Sequence, residues 1–389
     1  MTIQKIYIGG WFQRTTLHLT EIWDFLKYGK TNLNLQKDKL DLAKNELDIK
    51  EVTRQNGLLE YIQIETNSKI NYRIYEDGLI ILEKDFDELE NDFESIKQYY
   101  DEKLSKSLSL IFSKGAPVPK ELANIKTILP YIIMASDAKK EEAEKLFKNQ
   151  NEDIYSALST DKTEVYRSSG IILINNLENK GLAREIIESE IFFREFKTQL
   201  GRYLSIHRTI WEKIEKIKEV KKIKGNQIEK LRNELAIYQK TINLISARIE
   251  QMDTYILTRQ RVTGLQKIDD NLKEIFQFKF ETLIDTHEYI KDLWQMTNHY
   301  LASAIELLTS LQAESTKNTI SSLQLITSIG VVAGIISYLE SDRLPNFTIV
   351  GILYFFLLLF VALIINNFLS SFYRNKKFNV QDQGINKNI

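Results

Sequence analysis

Between Ile320 and Leu339 the chain carries no charged residue, over roughly the 20 residues that a membrane helix needs. A second uncharged run, Phe347 to Ile365, follows a short loop, Glu340-Ser341-Asp342-Arg343-Leu344-Pro345-Asn346. The second run is apolar all round, which an ordinary amphipathic core helix is not. The loop is too short to cross a bilayer, so both ends of such a hairpin lie on one side. Lys317 and the basic tail Arg374, Lys376 and Lys377 flank the hairpin, while the loop is net acidic. The positive-inside rule then places both termini in the cytoplasm and the hairpin in the cell's inner membrane, in contact with lipid.

The first run is more polar than the second. It holds Ser321, Ser322, Gln324, Thr327, Ser328, Gly330 and Gly334. Polar side chains in a membrane face protein or water, and small residues allow close packing. The first run is therefore expected to be the inner helix of an oligomer, with the second around it. Upstream, an apolar stripe (Leu272, Ile275, Phe280, Leu283, Ile290, Trp294, Leu301, Ile305, Leu308 and Leu311) has mostly the three-or-four spacing of one face of a helix. No proline interrupts residues 265–344.

The rest of the chain reads in order. Ile3–Ile8 alternates as a strand, stopped by Gly9-Gly10. Thr20 caps a helix through Tyr28 that ends at Gly29. A short helix is expected over Gln36–Leu47, then a meander of strands with turns at Asn56-Gly57, Asn67-Ser68 and Asp77-Gly78. Asp85 opens a helix that runs to about Lys114. Thr127–Met134, Ile154–Leu158 and Ile171–Ile174 read as strands, and Lys139–Lys148 as a helix. After Gly181 the pattern is helical, and Gly225-Asn226 is the good turn. The predicted fold is an α+β cytoplasmic domain, a long helical stalk hairpin and a C-terminal two-helix transmembrane hairpin. The expected divisions are an α+β domain over 1–177, a helical hairpin over 178–264 and a stalk helix over 265–319. They continue with a first span over 320–339, an outer loop over 340–346, a second span over 347–369 and a basic tail over 370–389.

The 389 residues carry 52 Lys+Arg against 53 Asp+Glu. That balance gives no reason to expect a nucleic-acid partner. With no cysteine, disulfides and thiolate metal sites are excluded. Gly29-Lys30-Thr31 lacks the earlier glycine of a phosphate loop, because Asp24 stands there, and a helix C-cap explains Gly29. His18, His207, His287 and His299 have no metal-ligand spacing, and His287 reads as a packing histidine. No catalytic constellation is apparent, and neither enzyme activity nor a cofactor is expected. Lys213, Lys216, Lys218, Lys221, Lys222 and Lys224 cluster before Gly225, where a solvated face is the default and anionic lipid the alternative.

This order of parts resembles the CorA family of magnesium channels. Ala333-Gly334-Ile335 matches the family's Ala-Gly-Ile, Leu344-Pro345-Asn346 sits where a Met-Pro-Glu-like loop lies, and Tyr373-Arg374-Asn375-Lys376-Lys377-Phe378 resembles the basic tail. The positions of the family's Gly-Met-Asn signature hold Ser337-Tyr338-Leu339, so the resemblance implies a channel with weak magnesium selectivity. The chain also resembles, in overall build, CorA-like proteins encoded beside type III CRISPR systems. That likeness implies a homo-oligomer, a pentamer, forming a cation channel that opens in antiviral defence on binding an S-adenosylmethionine–AMP conjugate. The alternatives are a magnesium transporter and a non-conducting membrane scaffold.

Alignment on Ala333-Gly334-Ile335 implies a pore face at Thr316, Thr319, Leu323, Thr327, Gly330 and Gly334. Polarity alone favours Lys317, Ser321, Gln324 and Ser328. Val331 and Ile335 are candidate apolar gate residues, and Glu340 and Asp342 are candidate cation attractors at the outer mouth. For the ligand, Gln13, Arg14, Thr15 and Thr16 are a candidate cluster, with an ordinary surface loop as the stronger reading.

Overall fold

The computed structural model describes residues 1–13, 18–115, 130–160, 163–176, 180–218, 222–265 and 270–339, with scattered positions from 349 to 379. Contacts divide the chain into two compact units. One comprises Met1–Ser205 with Leu244–Asp292, the other Ile206–Asn243 with Leu293–Ile389.

The first unit is built on a nine-stranded sheet of order β2-β3-β4-β5-β1-β6-β9-β8-β7. Its strands are β1 Thr2–Trp11, β2 Ile49–Gln55, β3 Tyr61–Thr66, β4 Ile70–Tyr75, β5 Leu79–Asp85, β6 Tyr131–Ser136, β7 Ser156–Ser159, β8 Thr163–Arg167 and β9 Ile171–Asn176. Most neighbours are antiparallel, and β6 pairs with β9 in parallel. Helices α1 Leu19–Tyr28, α2 Lys37–Glu46 and α3 Leu89–Gln98 follow in the first half. A π-helical segment, Tyr99–Leu104, continues α3 into α4, Ser105–Gly115, and α5 is Lys140–Asn149. Ile6 and Ile8, two apart on β1, pack toward this helical layer. Ile8 joins Phe25, Leu40 and Tyr100, and Ile6 joins Phe93, Leu146 and Phe147. The period of two in strand side chains produces this sorting.

Strand β1 does not stop at Gly9-Gly10. It continues to Trp11, and the glycines serve another purpose. A Cβ on Gly9 would stand 2.6 Å from the Ile80 carbonyl oxygen and 2.8 Å from Ile191 Cδ1. Gly9 therefore lets a helix lie directly on the strand, while a Cβ on Gly10 would stand 2.7 Å from the Tyr100 hydroxyl. That helix is α6, Lys180–Lys218. Trp11 extends the contact, its ring 5.1 Å from Phe196 and 6.2 Å from Phe192.

Two other local readings differ. Helix α1 starts at Leu19, and the His18 backbone N–H donates to Glu21 at 2.8 Å, so His18 and not Thr20 opens it. Gly29 has φ 64°, and its N–H donates to the Phe25 carbonyl at 2.8 Å, the left-handed helix stop that disposes of a phosphate loop.

Helices α7, Gly225–Leu265, and α8, Asp270–Leu339, complete the chain's long elements. In the second unit Trp211 stacks on Tyr300 at 4.6 Å, and His207 lies 5.8 Å from Trp294. The strand β10, Lys222–Lys224, pairs antiparallel with β11, Lys377–Asn379. This pairing joins the three residues before α7 to the basic tail.

No described helix is long and apolar enough to cross a membrane. The transmembrane hairpin expected at 320–339 and 347–369 is therefore corrected. Residues 320–339 are instead the last turns of the single helix α8. Uncharged there does not mean apolar: Ser321, Gln324, Thr327 and Ser328 interrupt the run, and Gln324, Thr327 and Ser328 are exposed. Most of 347–369 lies outside the described residues.

Candidate functional site

The segment Ile186–Phe196 of α6 is apolar except for Ser189 and its charges, yet Glu188, Glu190 and Glu195 are all buried. Each is handled differently. Burying a carboxylate is costly unless cations and hydrogen bonds compensate.

Glu188 is held from several elements. Arg259, on α7, donates from Nη1 to Glu188 Oε2 at 3.2 Å. The same guanidinium binds both oxygens of Asp77, at the turn between β4 and β5, with Nη2 to Oδ1 at 2.9 Å and Nε to Oδ2. Arg184 donates to Glu188 at 3.0 Å, and the Tyr75 hydroxyl donates to it as well. Arg259 also lies 5.0 Å above the Tyr75 ring. Burial works against its charge, but Asp77 and Glu188 raise its pKa. Planar bidentate geometry of this kind is what a guanidinium supplies and an ammonium does not.

Glu190 joins β8 and α8 to the same helix. Arg167 donates to it at 2.7 and 3.2 Å, and Lys279 at 2.7 Å. Burial opposes its ionisation, but Lys279 and Arg167 hold the carboxyl at about 2. Lys279 has its own pKa lowered by burial.

Glu195 has little compensation. It accepts the Trp11 backbone N–H, and its Oε1 has no partner among the described residues. Burial pushes the carboxyl up to about 8. It borders a cavity beside Gly9, Ile132, Ile172, Ile191 and Arg194. Burial also lowers the Arg194 guanidinium to about 10.

These groups tie the sheet, α6, α7 and α8 together within the first unit. They make a buried polar junction. Among the described residues no group of three or more His, Asp or Glu is placed to hold a metal ion. His287 is buried and its Nε2 meets the Ile249 carbonyl, the packing role read from its stripe. The Gln13 side chain is occupied internally. It donates to the Arg248 carbonyl and accepts from the Tyr203 hydroxyl at 3.1 Å. Arg14, Thr15 and Thr16 lie outside the described residues.

The candidate pore residues fall on α8. Thr316, Gln324, Thr327, Ser328 and Val331 are exposed in the single chain. Thr316 and Thr327 return hydrogen bonds to the carbonyls four residues back, at 2.9 and 2.8 Å. The side chains of Thr319 and Ile335 lie outside the described residues, as do Glu340, Asp342, Arg374 and Lys376. Lys377 opens β11 opposite Lys224.

Glu188, Glu190, Glu195, Arg167, Asp77, Arg259 and Lys279 escape a reading by periodicity. The available signal is the run Ile186 to Phe196 itself, where glutamates stand among isoleucines and phenylalanines.

No protein-family model matches the chain, and a search of curated proteins finds no match. Among solved structures, one similar chain is the CorA magnesium transporter from Methanocaldococcus jannaschii, at 12% identity and a TM-score of 0.27. The overlap covers 64% of this chain and 92% of the transporter chain. It is a weak likeness to a CorA architecture.

Proposed function

We propose that this chain is the subunit of a homo-oligomeric cation channel at the cell's inner membrane, opened by a nucleotide ligand that binds its cytoplasmic α+β unit. The oligomer is a pentamer, the ligand an S-adenosylmethionine–AMP conjugate, and the role antiviral defence. The protein is a conductor of ions and not an enzyme.

One observation carries the reading. Helix α8 is a single element from Asp270 to Leu339. Near its start Lys279 is ion-paired to Glu190, within the α+β unit. Along its later turns Thr316, Gln324, Thr327 and Ser328 are exposed. Exposed hydroxyl and amide groups on its uncharged stretch 320–339 suit a water-filled path lined by several copies. A stiff helix also transmits a displacement at one end to the other.

The test is reconstitution of the full chain into liposomes loaded with cation-sensitive dye. Adding the conjugate should start a flux of monovalent and divalent cations with little preference for magnesium. A chain that binds the conjugate but passes no cation would overturn the proposal.

A further inference from the structure

We propose that the ribbon of β10 and β11 is a docking surface for an anionic lipid bilayer, with Lys222 and Lys224 against the headgroup phosphates and Lys377 beside them. The inference goes beyond the proposed channel and depends on neither its ligand nor ion flux.

The positive charge is local. The whole chain has a net charge of −1, yet residues 216–224 hold five lysines against the single Glu219, and residues 373–379 hold Arg374, Lys376 and Lys377 with no acid. Folding brings the two stretches together, because Lys222, Ile223 and Lys224 pair with Asn379, Phe378 and Lys377. Side chains alternate along a strand. Ile223 is 1% exposed and anchors one face, while Lys222 and Lys224 are exposed on the other. Lys377 stands directly opposite Lys224 in the register. Like charges at directly opposed positions destabilise a sheet, and a two-stranded ribbon is marginal to begin with. A plane of negative charge offsets that repulsion. Helix α7 adds to the same field. It starts at Gly225 with no acidic residue in its first turn, so no carboxylate there offsets the positive end of its dipole.

The neighbouring lysines divide into two kinds. Lys218 Nζ lies 4.0 Å above the Tyr300 ring and donates to Ser303 Oγ at 3.3 Å, and Lys213 Nζ lies 5.2 Å above the Tyr238 ring. Lys216, Lys222 and Lys224 make no ion pair among the described residues. This division also separates the candidate partners. A single-stranded nucleic acid is held by a basic groove together with aromatic rings on which its bases stack. Here the nearby rings are engaged within the protein, Tyr300 by Lys218 and Trp211, Tyr238 by Lys213. What stays free is charge on a short ribbon, and clustered lysines are what an anionic bilayer attracts.

Lysine acetylation of the full chain with lipid nanodiscs, read by mass spectrometry, tests this. One set of discs is phosphatidylcholine, the other an equal mixture of phosphatidylcholine and phosphatidylglycerol. Lys222, Lys224 and Lys377 should be acetylated several-fold more slowly with the anionic discs only. Salt at about 1 M, where the screening length falls to about 3 Å, should abolish the difference. Lys240 is exposed and serves as the internal control. It lies about 22 Å along α7 from Gly225 at ~1.5 Å per residue, beyond the screening length of about 10 Å at ~0.1 M salt, and should label equally with both discs. A lysine near an anionic surface multiplies association about fivefold, so two contribute about twenty-five-fold. Lys377 should therefore lose its protection in the double variant Lys222→Gln, Lys224→Gln, with circular dichroism confirming its fold. Equal acetylation with the two discs would overturn the surface. So would protection that survives the high salt, which would mean apolar insertion, or protection by a short single-stranded RNA and not by the anionic discs, which would assign the ribbon to nucleic acid. Protection by anionic discs in a protein that passes no cation would support the surface and remove the channel.

Discussion

Replacing Glu195 by Gln should stabilise the protein, and by more as the pH rises. The reason is the environment of the parent residue. Its carboxyl is buried, accepts the Trp11 N–H, and is raised from 4.5 to about 8 by desolvation. An acid with a raised pKa is neutral in the folded state and ionised in the unfolded chain. Its contribution is fully present below pH 4.5 and is lost as the pH climbs through 8. At pH 7 the span is 7 minus 4.5, which at 1.36 kcal/mol per unit is about 3 kcal/mol. At pH 8 and above it approaches about 5 kcal/mol. Gln has nearly the same shape and does not ionise, so the variant escapes this loss. The two proteins should melt alike near pH 4 and diverge by roughly 6–12 °C at pH 7, at 2–4 °C per kcal/mol for a unit of this size. Thermal melting followed by far-UV circular dichroism at pH 4, 7 and 8.5 measures the divergence. Comparing parent with variant cancels every other titrating group. Parallel pH profiles would refute the reasoning, because they would mean that Glu195 finds a partner or solvent when ionised.

Four further outcomes follow from the same contacts. Arg259→Met should cost about 3–5 kcal/mol in urea unfolding, since it strands Asp77 and deprives Glu188 of one cation, and adding Asp77→Asn should restore part of it. Gly9→Ala should destabilise by about 1–3 kcal/mol, because its Cβ meets the Ile80 carbonyl and Ile191; a melting curve unchanged from the parent would show that α6 gives way. His207 is buried with its pKa lowered by desolvation, so the stability it contributes is present above 6.5 and falls as the pH drops below that value; His207→Phe should flatten this acid limb in the same melting assay. Val331→Ser should raise basal cation leak in liposomes, since an apolar ring resists wetting and a hydroxyl does not.

Local signals in the sequence give most of the first unit's elements. Turn chemistry at Asp77-Gly78 and alternation in Ile70–Tyr75 place β4 and β5 because those features act over a few residues. Gly29 reads correctly as a helix stop for the same reason. Gly9-Gly10 misleads, because a glycine pair ends a strand as easily as it admits a helix, and the deciding contact is Ile191, far along the chain. The strands β8, β10 and β11 carry too few apolar positions to stand out, and β10 exists through pairing with Lys377–Asn379. The uncharged runs are plain in the sequence, but their reading as a transmembrane hairpin fails against the described helices. The buried charges are the least legible feature. Glu188 and Glu190 look like surface residues of an amphipathic helix until Arg259, Lys279 and Arg167 are brought to them by folding, and Glu195 until it is buried against Trp11.

The measurement that bears most directly on the proposed function is ion flux. Full-length protein in dye-loaded liposomes should be silent alone and should pass cations within seconds to minutes of adding an S-adenosylmethionine–AMP conjugate. Lys279→Met, which uncouples α8 from Glu190 while leaving Arg167 in place, should bind the conjugate and conduct less. Silence of the parent protein with the conjugate demonstrably bound would contradict the account.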